Sequence, residues 1–234
     1  MAMGMSLLAL SLGANAAFVL SDYKVEGDNQ VVLHEETGIE WLNITQTAGM
    51  SIDDVVAQLD GQFSGWRLPT LDDMYTMESE YFGLQNELSR DAGSVRNLSR
   101  DVATAYNELF GYAFENANGT FSRGLHLGVD EGVAYRTYVY AAAYRQSTVN
   151  YNQSFNATTS YSDSGYGVYL VSDGGATYSS LNDPTLNANN ANAPVNNVTV
   201  PEPASLAILS AGLMGFAFSR RKSKGESPVG KIDV

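Results

Sequence analysis

Sixteen consecutive uncharged residues, Ala204 to Ser219, constrain this 234-residue chain more than any other feature. Leu, Ile, Met and Phe recur there among small residues, and no charged stripe remains to face water. At ~1.5 Å per residue the run forms a helix of roughly 24 Å, slightly short of a ~30 Å hydrocarbon core. Pro201 and Pro203 fix φ and deny the helix an earlier start. Arg220-Arg221-Lys222 follows directly and places positive charge on the cytoplasmic side of a membrane. A buried amphipathic helix is the alternative, but the run is apolar all round and follows an Asn-rich stretch. The sequence therefore predicts a transmembrane helix at 204–219 and a fold built wholly upstream of it.

The order Pro201-Glu202-Pro203, apolar run, then Arg220, Arg221 and Lys222 resembles the PEP-CTERM sorting signal of exported Gram-negative bacterial proteins. The resemblance spans 200–222 and makes those six residues the sorting signal. It implies an exosortase as partner, an inner-membrane cysteine protease that would process the chain near Pro201–Pro203. The protein would sit in the inner membrane as a precursor, then reach the cell surface or extracellular matrix. Such signals usually stop after the basic cluster, whereas here a polar tail, 223–234, continues with Gly225, Pro228 and Gly230 and is expected to be disordered.

The opposite end agrees. Met5 to Ala17 is apolar and small, and Ala14-Asn15-Ala16 fits the A-x-A cleavage rule, so 1–17 reads as a signal peptide for the Sec machinery. Met1-Ala2-Met3-Gly4 lacks the usual basic residues, which implies a misassigned start codon or an N-terminus further upstream.

Without cysteine, the exported part can hold neither a disulfide nor a thiolate site. From Asp22 to Val200 there are eight Lys and Arg against 23 Asp and Glu. Such a surface repels nucleic acid and anionic lipid. The length suffices for one domain with a sizeable core, expected at 18–181, with an Asn-rich linker at 182–199.

Local patterns place the elements. Gln30 to His34 and Ile39 to Leu42 form a hairpin around Glu35-Glu36-Thr37-Gly38. Ser51-Ile52-Asp53-Asp54 opens a helix whose apolar face is Ile52, Val55, Val56 and Leu59. Thr70-Leu71-Asp72-Asp73 repeats the capping logic for a second helix to about Ser79. A third spans Val102 to Phe110 and stops at Gly111. From Arg123 to Asp173 strands alternate with Gly, Asn and Ser turns, and nine of the 14 tyrosines fall between Tyr135 and Tyr178. Arg136, Tyr138, Tyr140, Ala142 and Tyr144 share one face by period two. Gly167 to Val171 is the last central strand.

Thr37-Gly38-Ile39-Glu40-Trp41-Leu42, Gly65-Trp66-Arg67-Leu68-Pro69-Thr70 and Gly167 to Asp173 together resemble the C-terminal domain of collagen-like bacterial adhesins. That resemblance implies an α+β, C-type-lectin-like fold with two to three helices, a curled antiparallel sheet and adjacent termini. Trp41 and Trp66 are expected in the core, and Arg67 against a carboxylate or carbonyls beneath the second helix. The sugar-binding motifs of true C-type lectins, Glu-Pro-Asn or Gln-Pro-Asp beside Trp-Asn-Asp, are missing. The adhesin relatives' sulfated polysaccharides do not suit so acidic a domain.

Catalytic and metal signals are thin. His34 and His126 lie apart in predicted strands, so no metal site and no cofactor are expected. Asp53-Asp54 and Asp72-Asp73 read as helix N-terminal charges. Asp130-Glu131-Gly132 reads as a hairpin turn, with a surface calcium site as the alternative. The expectation is a non-enzymatic envelope or matrix protein. Its exopolysaccharide-contact face would be Arg136, Tyr138, Tyr140 and Tyr144, with loops at Asn150 to Ser164. The alternatives are a secreted hydrolase using Asp130 and a distant carboxylate, and an uncleaved membrane-anchored surface protein.

Overall fold

The computed structural model describes residues 18–83, 93–128, 132–142 and 146–194. The expected signal peptide (1–17), the sorting signal (200–222) with its helix at 204–219, the polar tail (223–234) and Tyr144 lie outside the described residues. Among the described residues no helix is long and apolar enough to cross a membrane.

Short runs of β-branched residues start the fold. β1 (Phe18–Ser21), β2 (Val31–His34) and β3 (Ile39–Leu42) form an antiparallel meander, and β2 is buried throughout. Gly38 closes the β2–β3 turn at φ 68, a left-handed backbone that glycine adopts without a Cβ penalty. Beyond a 3₁₀ turn at Ile44–Thr47 comes α1 (Ile52–Val56), then α2 (Leu71–Phe82). Both helices begin with the expected cap, and each cap is a full capping box, Ser51 with Asp54 and Thr70 with Asp73, in which side chain and backbone donors are satisfied reciprocally. α1 is a single short turn, so Ile52 and Val55 are buried while Val56, expected on the same face, is exposed. α2 ends at Gly83 in the left-handed conformation, three residues beyond the expected end.

β4 (Gly93–Leu98), which the sequence reading passed over, precedes α3 (Arg100–Phe110), and α3 stops at Gly111 as expected. The Tyr-rich half supplies β5 (Phe114–Asn116), β6 (Gly119–Leu127), β7 (Val133–Ala142) and β8 (Ser147–Thr158). The single last strand expected at Gly167 to Val171 is two: β9 (Gly167–Val168) and β10 (Val171–Ser172). α4 (Tyr178–Asn182) follows, capped by Thr177 and Ser180.

Two sheets result. One has the order β1-β2-β3-β10, all antiparallel. The other runs β4-β8-β7-β6-β5, with β9 paired to β6 in parallel. The α+β class is as expected; the parallel β6–β9 pair departs from a purely antiparallel sheet.

The core has two parts. Trp41, Met74, Met77, Tyr106, Phe110, Val139, Val149, Tyr169 and Val171 form one, with α2 and α3 contributing alongside both sheets. Leu42, Ile52, Val55, Phe63, Trp66, Leu125, Val168 and Leu170 form the other. Trp41 and Trp66 are both buried, as expected. Arg67 pairs with Asp73 on the first turn of α2 and with Asp173, also as expected.

The stretch expected as a linker is different. Asn187 is buried and donates its amide to Gly38 O at 2.7 Å, and Asn190 donates to Asp173 Oδ1 at 3.0 Å. The folded unit therefore continues to Pro194. Low apolar content misleads here, because the side-chain amides dock this segment onto a backbone carbonyl and a carboxylate.

Candidate functional site

Alternation along β7 sends Tyr135, Thr137, Val139 and Ala141 inward and leaves Arg136, Tyr138 and Tyr140 half-buried on the opposite face. Ala142, expected to share the outward face, is buried. Pairing sets their neighbours. Phe121 on β6 and Thr148 on β8 flank Tyr140, and Arg123 and Asn150 flank Tyr138.

The neighbours complete a row. Phe121 stacks on Tyr140 with centroids 4.3 Å apart and planes within 8°. Phe114 lies 5.5 Å from Phe121. The Arg123 guanidinium sits 4.5 Å from the Phe114 ring centroid, 4.8 Å from Phe121 and 5.4 Å from Tyr166. Arg136 lies 5.3 Å over Tyr138 and donates to the Tyr166 hydroxyl at 3.1 Å. Tyr140 donates its hydroxyl to Asn118 O at 2.9 Å. Two guanidiniums are thus interleaved with aromatic rings, each contact adding cation–π attraction. The result is a rigid amphipathic face carrying local positive charge on an acidic domain.

Arg136, Tyr138 and Tyr140 were legible in the sequence as members of this face; Phe114, Phe121, Arg123 and Tyr166 also belong to it. Period-two alternation from Gly119 to Leu127 carries the signal for Phe121 and Arg123. Tyr166 comes from a distant segment that only the fold brings near. The stretch from Asn150 to Ser164, expected as loops, is strand β8 as far as Thr158. Asp130 and Glu131 lie outside the described residues.

Buried ionisable groups behave differently. Glu78 is fully buried and accepts a hydrogen bond from Thr137 Oγ1 at 2.7 Å; burial pushes its carboxyl up to about 8. His126, also buried, hydrogen-bonds through Nδ1 to Leu127 O at 2.9 Å, and burial pushes it down to about 4. Both are neutral at neutral pH and sealed under α2 and β7. Glu40 is likewise buried, with its carboxyl raised by burial, and accepts from Thr177 Oγ1 at 2.6 Å. The acidic pairs at Asp53-Asp54 and Asp72-Asp73 sit in the first turns of α1 and α2, where the helix dipole favours them.

Among the described residues, one group of three side chains offers ligand atoms within reach of a single ion: His34, Glu36 and Glu80, with those atoms within 4.8 Å of one another. Counting His and Cys alone misses it, since two of the ligands are carboxylates and one lies far along the chain.

No match was found among curated proteins or among solved structures. The lectin-like fold expected from the GWRLPT segment therefore rests on that sequence resemblance. Residues 199–222 match the PEP-CTERM protein-sorting motif, which indicates an exported protein sorted at the membrane by an exosortase.

Proposed function

We propose that this chain is an envelope or extracellular-matrix component whose folded domain is a non-catalytic, lectin-like binding module for polysaccharide, displayed after sorting. The observation that carries this reading is the PEP-CTERM motif downstream of a folded unit that ends at Pro194. The contact surface is the Arg136, Tyr138 and Tyr140 face, extended by Phe121 and Arg123; Tyr144 is its fourth expected member. Aromatic faces stack on the apolar faces of sugar rings, and Asn and Ser meet hydroxyls at low ordering cost. Pairing of β3 with β10 brings the early hairpin and the final strand together, in keeping with the adjacent termini of a lectin-like fold. The domain's acidity favours a neutral or cation-bridged polysaccharide over a sulfated one.

Two experiments test the reading. In a strain lacking its exosortase, the precursor should stay in the inner membrane with Ala204 to Arg221 intact. Replacing Pro201, Glu202 and Pro203 with alanine should trap it in the same way. Equal release with and without the enzyme overturns the sorting step and leaves an uncleaved surface anchor. For binding, the purified protein should be retained on the producer's own exopolysaccharide. Tyr138→Ala with Tyr140→Ala should abolish retention without unfolding the chain. Loss of retention under every calcium condition in the wild type would leave a purely structural matrix role.

A further inference from the structure

His34 ends β2, Glu36 lies two residues on in the β2–β3 turn, and Glu80 is in the last turn of α2. Nothing in their spacing joins Glu80 to the other two; the fold brings α2 against the hairpin. His34 is 1% exposed and held in place. Its ring stacks on Phe18 with centroids 4.4 Å apart and planes within 4°. Its Nδ1 lies 2.8 Å from Thr37 Oγ1, a hydroxyl that already accepts from the Ile39 N–H at 3.3 Å. Whichever partner donates, that hydrogen bond holds the ring and leaves Nε2 on the Glu80 side. A hydrogen bond on the far ring nitrogen commonly orients ligating histidines.

Nε2 and Glu80 Oε2 touch at 2.7 Å, yet they lack the alignment of a hydrogen bond, and both atoms are shielded from water. A buried imidazole nitrogen thus stands against one carboxylate, with an oxygen of a second carboxylate within 4.8 Å.

We propose that His34, Glu36 and Glu80 bind one divalent transition-metal cation of the zinc class, which ties the β2–β3 turn to the end of α2. One nitrogen and two carboxylate oxygens suit zinc or manganese better than calcium, which takes six to eight oxygen ligands. Bonds of about 2.0–2.2 Å place neighbouring ligand atoms roughly 3–3.6 Å apart. The His34–Glu80 pair opens slightly to meet that spacing, and the exposed Glu36 side chain swings in. Water completes the coordination on the open side. In a chain without cysteine, such an ion supplies the cross-link that a disulfide supplies in other exported domains.

The test uses the full chain, purified in detergent without a polyhistidine tag and stripped with a chelator. Titration calorimetry with zinc chloride should give one site per chain, and the melting temperature should rise with zinc concentration. Glu36→Gln and Glu80→Gln should each weaken binding at least tenfold. Glu36→Gln should also melt like the stripped wild type in chelator, because that side chain is exposed. Stoichiometric binding by the wild type with both variants weakened supports the site. No binding by a chain that melts cooperatively, wild-type affinity in both variants, or equal affinity for calcium overturns it.

Discussion

Arg67 grips Asp173 with two parallel hydrogen bonds, Nε to Oδ2 at 2.9 Å and Nη2 to Oδ1 at 3.0 Å. Its third arm, Nη1, reaches Asp73 Oδ2 at 2.7 Å, and that same oxygen accepts the Thr70 N–H and hydroxyl. One guanidinium thus joins the chain just after β10 to the capped start of α2. Only a planar fork can serve both carboxylates at once.

Arg67→Lys should therefore destabilise the protein by about 2 kcal/mol, below the value for a buried pair because the side chain is one-third exposed to screening water. Urea unfolding measures it. The Arg67 hydrogen bond holds the Asp173 carboxyl below its ordinary 3.8. Its stabilisation is complete above that value and disappears as pH falls through the lower folded value. Asp173→Asn should flatten the acid side of the stability profile below about pH 4.

Glu78 and His126 make opposite demands on pH. Glu78 is raised from 4.5 to about 8, so its contribution is full below pH 4.5 and is lost as pH rises toward 8. His126 and His34 are lowered from 6.5 to about 4, so theirs are full above 6.5 and are lost as pH falls toward 4. Glu40 and Glu80 are raised as well, so between 4.5 and 6.5 carboxyls and imidazoles pull in opposite directions, and above 6.5 the loss from Glu78 is no longer offset by the histidines. Stability should fall from pH 6.5 toward 8. Glu78→Gln should remove the decline toward pH 8, a gain there of roughly 2 kcal/mol. A wild-type profile flat from pH 6 to 8 contradicts this.

Trp66 packs edge-on against Tyr23 with centroids 5.6 Å apart, within the second part of the core. Trp66→Ala should cost about 3–5 kcal/mol and leave the chain unfolded or insoluble. An unchanged melting temperature would show that the ring is not part of the core.

Gly124 on β6 tests the packing more sharply. A Cβ there would lie 1.9 Å from the Tyr169 ring, and Tyr169 is fully buried with its hydroxyl 2.9 Å from that of Tyr106. Neither ring can withdraw without opening the core between α3 and the sheet. Gly124→Ala should lower stability by about 1–3 kcal/mol or more, whereas Gly132→Ala, with open space around it, should show only the strain of its positive φ. Thermal unfolding of the two variants side by side checks the contrast.

Local chemistry was legible in the sequence. Ser51 and Thr70 announce their helices three residues before the carboxylates that complete the boxes, and Gly38 and Gly111 mark a turn and a stop. The burial of Trp41 and Trp66 and the setting of Arg67 against a carboxylate followed from motif and position. What escaped depends on distant partners. β4 is a strand because β8 pairs with it. Phe114 joins the aromatic face through a short hairpin whose turn residues outweigh its strand signal. Asn187 and Asn190 read as linker until their amides find Gly38 and Asp173. Glu80 meets His34 only after α2 is in place.

The division of Gly167–Ser172 between two sheets has a kinetic consequence. β9 pairs with β6 in one sheet, and β10 pairs with β3 in the other, where Val171 lies opposite Trp41. Arg67 also bridges to Val171 through its backbone. A chain delivered N-terminus first thus offers its first hairpin and its tryptophans long before the segment that closes over them. Contacts so remote in sequence form slowly, because loop closure must precede the reward. Until Gly167–Ser172 is in place neither native sheet is complete, so closure of both waits on these last strand residues.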